Sequence, residues 1–553
     1  MEYKWKTFSV TSVGSLMSAV DSTIVLLALV PIAEELKSDY VTMVWVVVAY
    51  ILANTALVLS LGRLADIYGR KKMYNVGFVI FILGSALCGF APSGLTLVGF
   101  RAIQGIGAAL LAANSFAILS EAFPGNERGK AFGANAIVWG SGVVLGIILG
   151  GLIITFTSWR LIFLINLPIG AFGTIWAYRT LKENKTNLTS RYIDLPATVS
   201  FTIGLLALMF GVTWGIIYSW SDPVTLLSIS ISPFILAFFA YWETKRSKDP
   251  VIDFALLRNR VFMLSLTTAM LQSLALFSVD FLLLFYLEGI AGLSVLTASY
   301  LIVPMAVALS LVGPFAGRLS DRYGARVIAS LGLTIQVIVL FLLRGLTTTT
   351  PLVQIGIIEA LYGIGGGLFW PANTSAIMAS SPPARYGVSS GMMNTFRNTG
   401  MVMSFALTLT AITGIIPTSI IFQLFIGTFS GTLAPIYASA YLSGQRYAFG
   451  ISAVLLIASV LFSLIRGKES RQAATVETPV AVPARIPSDS KFALDQRNPH
   501  SAEAPSRLVQ TSRAARLASQ DVFMESRLSC RKSRAPLSRG GHEVLLQAAS
   551  LYR

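Results

Sequence analysis

The stretch GRLADIYGRKK (Gly62–Lys72) decides the fold class, because it places one acid and four bases between two long apolar runs. A near copy, GRLSDRYGAR (Gly317–Arg326), follows 255 residues later. The whole chain is 54% hydrophobic and only 12% charged, with a mean hydropathy of +0.70. Soluble globular chains carry about 25% charged residues. A soluble fold of this length has too much surface for such a composition. The sequence therefore predicts a polytopic membrane protein.

The apolar runs have the length of membrane-spanning helices. A hydrocarbon core about 30 Å thick is crossed by about 20 apolar helical residues. The sequence predicts an all-α protein with fourteen spans, near 8–30, 41–61, 73–91, 95–119, 131–155, 161–179, 195–217, 223–242, 262–287, 295–316, 327–345, 351–379, 388–413 and 447–466. The region 414–446 has three open interpretations: a long outer loop, a re-entrant piece or an extra span.

The loops differ strongly in their basic residues. One set holds about 21 Lys and Arg, whereas the other offers only Lys37, Arg160, Arg344 and Arg446. Because basic loops stay on the cytoplasmic side, the first set and both termini are predicted to be cytoplasmic, in the plasma membrane. The net charge of +16 then reflects topology and contact with lipid headgroups, and no nucleic-acid partner is expected.

The sequence lacks the residues that several classes of function require. Both histidines, His500 and His542, lie near the C-terminus, and the two cysteines, Cys88 and Cys530, are far apart. No GxxxxGK[ST] loop is present, so nothing indicates an ATP-driven pump. We expect no metal site, no cofactor and no enzymatic activity.

The charge cluster belongs to an internal repeat. RAIQGIG (Arg101–Gly107) matches EALYGIG (Glu359–Gly365) at an offset of 258, close to the 255 of the cluster itself. Similar features at one offset indicate a duplicated unit of six spans. Two spans are then inserted between the halves. The predicted domains are a first bundle (1–180), the inserted spans with their loops (181–260), a second bundle (261–466) and a disordered basic tail (467–553).

These motifs resemble those of the major facilitator superfamily, in its fourteen-span drug:proton antiporter branch. The resemblance covers about residues 8–466 and rests on GRLADIYGRKK, RAIQGIGAALL, SWRLIFLINLPIG, DSTIVLLAL and FRNTG. It implies two six-helix bundles, with two extra helices between them, and transport by alternating access. It also implies a small-molecule substrate, coupling to protons and a monomer.

The fifth span carries the glycines of the branch's antiport motif, Gly142, Gly146, Gly150 and Gly151. Small residues at this spacing let helices approach closely. Ile147 stands where the motif usually has Pro, while Leu26 and Val30 replace the usual Asn and Pro of the first-span motif. The missing Pro at Ile147 keeps uptake open as an alternative to export.

Charges inside spans are rare and costly, so they are candidates for function. The candidates for proton coupling or substrate binding are Asp21, Arg101, Asp280, Glu359 and Arg397. A carboxylate in a partly dehydrated cavity can take up a proton, as coupling requires. The alternative is that each acid is permanently paired with an arginine for structure.

The two charge clusters are candidates for a conformational latch. The residues concerned are Gly62, Arg63, Asp66, Gly69, Arg70, Asp321 and Arg322. Positive-inside topology alone explains the bases, but not the two acids or the glycines. We therefore expect the clusters to hold one conformation closed on the cytoplasmic side.

Other polar and aromatic residues within spans are more typical of packing. Asn54, Gln104, Asn114, Gln272 and Asn373 are expected to form hydrogen bonds between helices. Trp45, Trp139, Tyr286 and Trp370 could stack on a flat substrate, but such residues commonly pack helices or anchor them at the interface.

The leading functional hypothesis is export of an organic, amphipathic or cationic, drug-like compound in exchange for protons. The alternative is proton-coupled uptake, or facilitated transport, of another small organic solute.

Overall fold

The structure is a computed structural model that describes residues 2–183, 194–247, 252, 254–293, 295–413 and 435–467. Within these ranges every regular element is a helix. The first half contains α1 (Tyr3–Leu27), α2 (Leu29–Glu35), α3 (Tyr40–Tyr68), α4 (Arg70–Gly89), α5 (Gly94–Ala122), α6 (Arg128–Phe156), α7 (Arg160–Leu164) and α8 (Asn166–Thr180). The inserted pair is α9 (Leu195–Ile217) and α10 (Pro223–Lys245). The second half contains α11 (Phe254–Arg258), α12 (Arg260–Phe285), α13 (Val295–Tyr323), α14 (Ala325–Arg344), α15 (Leu352–Ala379), α16 (Tyr386–Thr413) and α17 (Pro435–Ile465).

Two short helical turns complete the second half. The first is a π-helical turn, Tyr286–Ile290, which continues α12. The second is a 3-10 turn, Pro383–Arg385, which precedes α16.

Thirteen of the described helices are long and apolar enough to cross a membrane. Each corresponds to a predicted span, with α7 and α8 together forming the sixth. The remaining prediction, at 388–413, is a helix of suitable length, α16, but it is not among the thirteen. Its middle carries the polar run Arg397–Thr399. The count of fourteen spans is therefore not confirmed.

The last predicted span starts earlier than expected, since α17 begins at Pro435. Residues 435–446 of the ambiguous region are thus helical, and residues 414–434 lie outside the described part of the chain. The tail predicted to be disordered lies outside it too, from 468 onward.

Local sequence explains where many helices begin. Asp39 caps α3 by accepting a hydrogen bond from the amide of Thr42, and Ser93 forms a capping box with Thr96 at α5. Asp222 and Asn259 cap α10 and α12 in the same way. These side chains satisfy amides that have no partner within the helix.

The repeated motif forms the same corner in both halves. Gly69, with φ 103°, separates α3 from α4, and Gly324, with φ 92°, separates α13 from α14. Glycine adopts such positive φ without the steric penalty that a side chain brings. We call the end of the bundle at these two corners the basic end, and the other end the opposite end.

The two halves meet along two seams. At one seam α6 packs against α13, and at the other α3 packs against α16. The inserted helix α9 pairs with α10 and also contacts α3 and α16, so it lies beside the second seam. This arrangement brings residues of both halves together along the middle of the bundle.

Candidate functional site

A carboxylate from the first copy of the motif joins the two halves at the basic end. Asp66 is wholly buried and accepts hydrogen bonds from the backbone amides of Gly387 and Val388, both at 3.0 Å. These amides open α16, where the helix dipole favours an anion. Arg70 pairs with Asp66 at 2.7 Å and donates to the carbonyl of Pro383, also at 2.7 Å. Charge-assisted bonds of this kind are the stronger class of hydrogen bond.

The second copy forms the equivalent contact in the opposite direction. Asp321, at the end of α13, accepts from the backbone amides of Gly129 and Lys130 at 3.0 and 3.1 Å. These amides open α6 in the first half. Each half thus offers one aspartate to a helix start in the other half. We call the two contacts the Asp66 clamp and the Asp321 clamp.

The glycines of the two clamps lie at points of close backbone contact. A Cβ atom on Gly62 would lie 3.0 Å from the carbonyl carbon of Gly387. A Cβ on Gly129 would lie 2.9 Å from the carboxylate carbon of Asp321. Real Cβ atoms make contacts this short rarely or not at all. The glycines therefore allow the seams to close tightly enough for the aspartates to reach the amides.

Two of the predicted latch residues, Arg63 and Arg322, are not among the residues that define the two clamps. Arg63 is buried near the end of α3. Arg322 is exposed and lies over the ring of its neighbour Tyr323, with 5.3 Å between the guanidinium and the ring centre. Glu121, which the sequence analysis did not single out, pairs with Arg70. Its position at the end of α5, next to the charge cluster, was the available signal.

Asp21 is the centre of a buried polar network in the first half. One carboxylate oxygen accepts from Arg101 at 2.8 Å. The other accepts from the amides of Gln104 at 2.8 Å and Asn166 at 3.0 Å. Both amides also donate to Ser85, so α1, α4, α5 and α8 are linked through one acid. The exposed fraction is 0% for Asp21 and 2% for Arg101.

The guanidinium of Arg101 is held on several sides. It donates to the carbonyl of Val46 at 3.1 Å and lies 4.2 Å from the ring centre of Tyr50. Removing one partner of such a buried pair costs about 3–5 kcal/mol. The pairing of Asp21 with Arg101 matches the structural alternative, and it also connects this acid to α5 and α8 directly and to α4 through Ser85.

The acids of the second half are placed differently. Glu359 is wholly buried on α15, a helix that packs against α13 and α14. The described hydrogen bonds of Asp21 do not include Glu359, the repeat equivalent of Arg101. Asp280 lies on α12, but its side chain is outside the described part of the structure.

Arg397 lies near the middle of α16, at the seam between the halves. Its guanidinium is 5.9 Å from the ring centre of Trp370 and donates to Asn398 at 3.3 Å. Asn398 in turn donates to Asn54 of α3 at 3.3 Å. These residues form a mid-depth cluster with members from both halves.

The glycine row of α6 packs mainly against α1. A Cβ on Gly142 would meet the Cβ of Ala19 at 2.5 Å, and one on Gly150 would meet side-chain carbon of Ile24 at 3.0 Å. Gly146 lies against Val20 and Thr23, and Gly151 is partly exposed. The row lets α1, which carries Asp21, approach the helix that receives the Asp321 clamp.

Most polar span residues make the interhelical hydrogen bonds expected of them. Gln104 donates to Asp21, and Asn54 accepts from Asn398. Gln272 donates to Gln336 at 3.3 Å, and Asn373 donates to the carbonyl of Ser265 at 3.0 Å. Asn114 is the exception, because its amide donates within α5.

The aromatic candidates for stacking separate into two groups. Trp370 belongs to the mid-depth cluster at the seam. Trp45 instead packs against Phe210 and Trp214 of the inserted helix α9. Tyr286 is buried and donates to the carbonyl of Thr347 at 2.6 Å. Trp139 is partly exposed on α6.

A further arginine was missed altogether. Arg466 follows the last residue of α17, is wholly buried and donates to Asn373 at 2.9 Å and Ser265 at 3.2 Å. It links α12, α15 and α17. At the end of an apolar run it looked like an ordinary flanking base, and only the packing of three helices distinguishes it.

The chain is similar to known membrane transporters over most of its length. Riboflavin transporter RibZ of Clostridioides difficile is 31% identical over 407 residues, which cover 74% of this chain and 87% of that protein. Multidrug resistance protein Stp of Mycobacterium tuberculosis is 31% identical over 403 residues, covering 72% and 74%. Both alignments cover the greater part of each protein.

Solved structures show the same fold at low sequence identity. The human organic anion transporter MFSD10 superposes with a TM-score of 0.59 at 13% identity, covering 83% of this chain and 99% of that one. The family model of the Major Facilitator Superfamily matches residues 11–405. The repeated corners, the paired clamps and these similarities agree: the chain is a multi-pass membrane protein that belongs to the major facilitator superfamily of small-molecule transporters.

Proposed function

We propose that the protein exports an organic amphipathic compound in exchange for protons, by alternating access between the two halves. The observation that carries this proposal is the Asp21–Arg101 pair, an acid and a base wholly buried inside a membrane-spanning bundle. Buried ionisable groups in membranes commonly mark ion and proton pathways.

Proton coupling follows from the bonding of Asp21. A proton on Asp21 removes the charge that holds Arg101 and weakens the bonds from Gln104 and Asn166. Because these partners lie on different helices, a change at one oxygen alters the packing of the first half. Asp21 has no exposed surface in the present conformation, so a proton reaches it only when the surrounding helices move. Proton binding and conformational change are thereby linked.

The clamps support alternating access. The Asp66 and Asp321 clamps both lie at the basic end, so this end is closed in the present conformation. Opening it requires both aspartates to leave the helix starts of the other half. We propose that the basic end faces the cytoplasm, that both termini are cytoplasmic, and that the protein acts as a monomer in the plasma membrane, in contact with its lipids. On this proposal the two six-helix bundles keep the predicted bounds, 1–180 and 261–466.

The bonding of Asp21 bears on whether the cargo must be positively charged. A cationic cargo was expected from free carboxylates in the cavity. Asp21 is instead fully occupied by three donors, and Glu359 is wholly buried. The proposal therefore keeps the amphipathic character of the cargo and does not rest on a positive charge.

Uptake of a small organic solute is the second candidate. It is favoured by Ile147, which replaces the usual Pro of the antiport motif, and a riboflavin transporter among the relatives fits a small organic solute as the cargo. The two candidates differ in the direction of proton-driven accumulation, which a transport experiment measures directly.

The test uses purified protein in proteoliposomes with an imposed pH gradient and a panel of cationic, zwitterionic and anionic xanthene dyes. Export predicts that dye and protons move in opposite directions, and that Asp21→Asn abolishes proton-driven accumulation while dye exchange without a gradient continues. The matched control is Glu35→Gln, which removes an exposed acid paired with Arg160 at 3.1 Å. Size-exclusion chromatography checks folding of each variant.

Dye flux that ignores the pH gradient, or that stays proton-driven in Asp21→Asn, contradicts proton coupling through Asp21. Accumulation of dye in the direction of proton flow favours uptake.

A further inference from the structure

Arg397 has no acid beside it among the described residues, unlike three other arginines of the bundle. Arg70 pairs with Asp66 and Glu121, Arg101 with Asp21, and Arg160 with Glu35. Among the described residues, no carboxylate lies within ion-pair distance of Arg397, and its guanidinium interacts with Asn398 and Trp370. The positive charge of Arg397 is therefore not neutralised by the part of the protein that the structure describes.

The position of Arg397 makes this costly. It lies eleven residues from the start of α16, which corresponds to a depth of about 16 Å at about 1.5 Å per residue. That is close to the centre of a hydrocarbon core about 30 Å thick. An arginine at this depth requires a partner or access to water. The side chain is partly exposed, so the surrounding protein leaves part of its surface uncovered.

The neighbours of Arg397 suit a flat ligand. Trp370, also partly exposed, offers an aromatic ring 5.9 Å from the guanidinium. The hydrogen-bonded amides of Asn54 and Asn398 lie next to it and can turn toward ring heteroatoms. Because Asn54 belongs to α3 and the others to α15 and α16, the cluster spans the seam between the halves. A ligand held here contacts both bundles.

We propose that Arg397 and Trp370 bind a flat aromatic carboxylate, so that the cargo of this transporter carries a negative charge. The guanidinium fork matches the two oxygens of a carboxylate, and its planar shape also allows stacking. The proposal rests on the proposed transport function and specifies its substrate class. It assigns Arg101 and Arg397 different tasks: Arg101 is held by the protein's own acid, and Arg397 receives its acid from the cargo.

The test is a binding measurement with two dyes that share one ring system. Fluorescein is an anionic xanthene with a free carboxylate, and rhodamine 123 is a cationic xanthene whose carboxylate is esterified. Fluorescence anisotropy with purified protein in detergent gives the Kd of each dye. We expect fluorescein to bind at least about tenfold more tightly than rhodamine 123 because a charge-assisted pair adds to stacking.

Three variants separate charge, geometry and general effects. Arg397→Gln should weaken fluorescein binding about tenfold or more and leave rhodamine 123 unchanged or tighter. Arg397→Lys should lose less affinity for fluorescein than Arg397→Gln, because lysine keeps the positive charge but lacks the planar guanidinium. The matched control is Arg446→Gln, an exposed arginine on α17 whose loss should change neither Kd.

Equal or tighter binding of rhodamine 123 by the unaltered protein overturns the proposal without any variant. Absence of fluorescein binding, or unchanged fluorescein binding in Arg397→Gln, overturns it as well. The result is distinguishable from a failure of the proposed function. Arg397-dependent fluorescein binding without proton-driven flux leaves the binding site standing and rejects the antiport. Proton-driven flux of rhodamine 123 alone supports the antiport and rejects the binding site.

Discussion

Asp66 and Asp321 are single residues that join the two halves at the seams. Both are acids in otherwise basic clusters, and both accept two backbone amides from the other half of the chain. A hydrogen bond to a charged group contributes about 1.5–3 kcal/mol. Two such bonds at each seam are enough to decide between two conformations whose free energies differ by a few kcal/mol.

Asp66→Asn should shift the protein away from the conformation that is closed at the basic end. The asparagine keeps the size of the side chain but loses the charge that binds Arg70 and two amides. A loss of about 1.4 kcal/mol changes the equilibrium about tenfold. The reporter is a single cysteine at Ser390→Cys, in a background with Cys88 and Cys530 replaced by serine. Ser390 is wholly buried at the seam between α5 and α16.

Maleimide labelling of that cysteine should become about tenfold faster in Asp66→Asn, since the population of the open state relative to the closed state rises about tenfold. The control Asp39→Asn removes the charge of the exposed N-cap of α3 at the opposite end, retains a capping side chain and should leave the rate unchanged. An unaltered labelling rate in Asp66→Asn, with transport also normal, leaves the bases of this cluster with a topological role only.

At the level of helices, the glycines determine how closely the halves approach. The aspartates reach the amides because the backbones of α3 and α16 are in contact where these helices cross. The same holds for α6 and α13. The same physical requirement explains the row on α6 that packs against α1. Small residues at helix crossings are the usual means of close packing in membranes, where lipid is as apolar as the side chains.

Gly387→Ala should open the α3–α16 seam. The added Cβ would lie 2.8 Å from the carboxylate carbon of Asp66 and also too close to the carbonyl oxygen of Gly62. Overpacking of this kind costs about 1–3 kcal/mol. We expect a lower temperature of thermal unfolding in detergent and a dye transport rate reduced about tenfold, by the same free-energy relation.

Gly356→Ala is the matched control, because a Cβ at this position of α15 meets nothing within 4 Å. Alanine is a better helix former than glycine by about 0.8–1 kcal/mol, so this variant should be as stable as the parent or more so. Equal losses in the two variants would show that the loss in Gly387→Ala does not arise from the α3–α16 seam.

For the whole molecule, the number of spans determines the side on which the C-terminus lies. Thirteen described helices meet the requirement of length and composition, and α16 has the length with a polar centre. Inclusion of α16 gives fourteen crossings and places both termini on one side. The polar centre is also where Arg397 lies, so the residue that weakens the span signal is the one assigned to the cargo.

Reporter fusions test this topology. A fluorescent protein fused after Gly467 should be fluorescent, and alkaline phosphatase at the same point should be inactive, because both report a cytoplasmic position. Phosphatase inserted at Ser221, in the turn between α9 and α10, should be active as the matched control on the other side. An active phosphatase after Gly467 indicates an odd number of spans and contradicts the prediction that both termini are cytoplasmic.

The sequence was informative wherever composition or spacing carried the signal. Helix positions followed from apolar runs, and the duplication followed from two copies of one motif at a fixed offset. The clamps were predicted as a latch because Asp66 and Asp321 are not needed for topology. Asp21 and Arg101 were recognised as candidates, but their direct pairing was not, since 80 residues separate them in the chain.

What the sequence determined by itself is the class of protein, its helices, its internal repeat and its rare buried charges. These depend on local hydrophobicity and on residue identity, which the chain displays directly. Only the tertiary structure decided which charges neutralise one another. Asp21 and Arg101 came together, Asp66 and Asp321 reached helix starts in the opposite halves, and Arg397 was left without an acid among the described residues. Partners separated by tens or hundreds of residues are chosen by how the helices pack, and that information is not local to any stretch of the sequence.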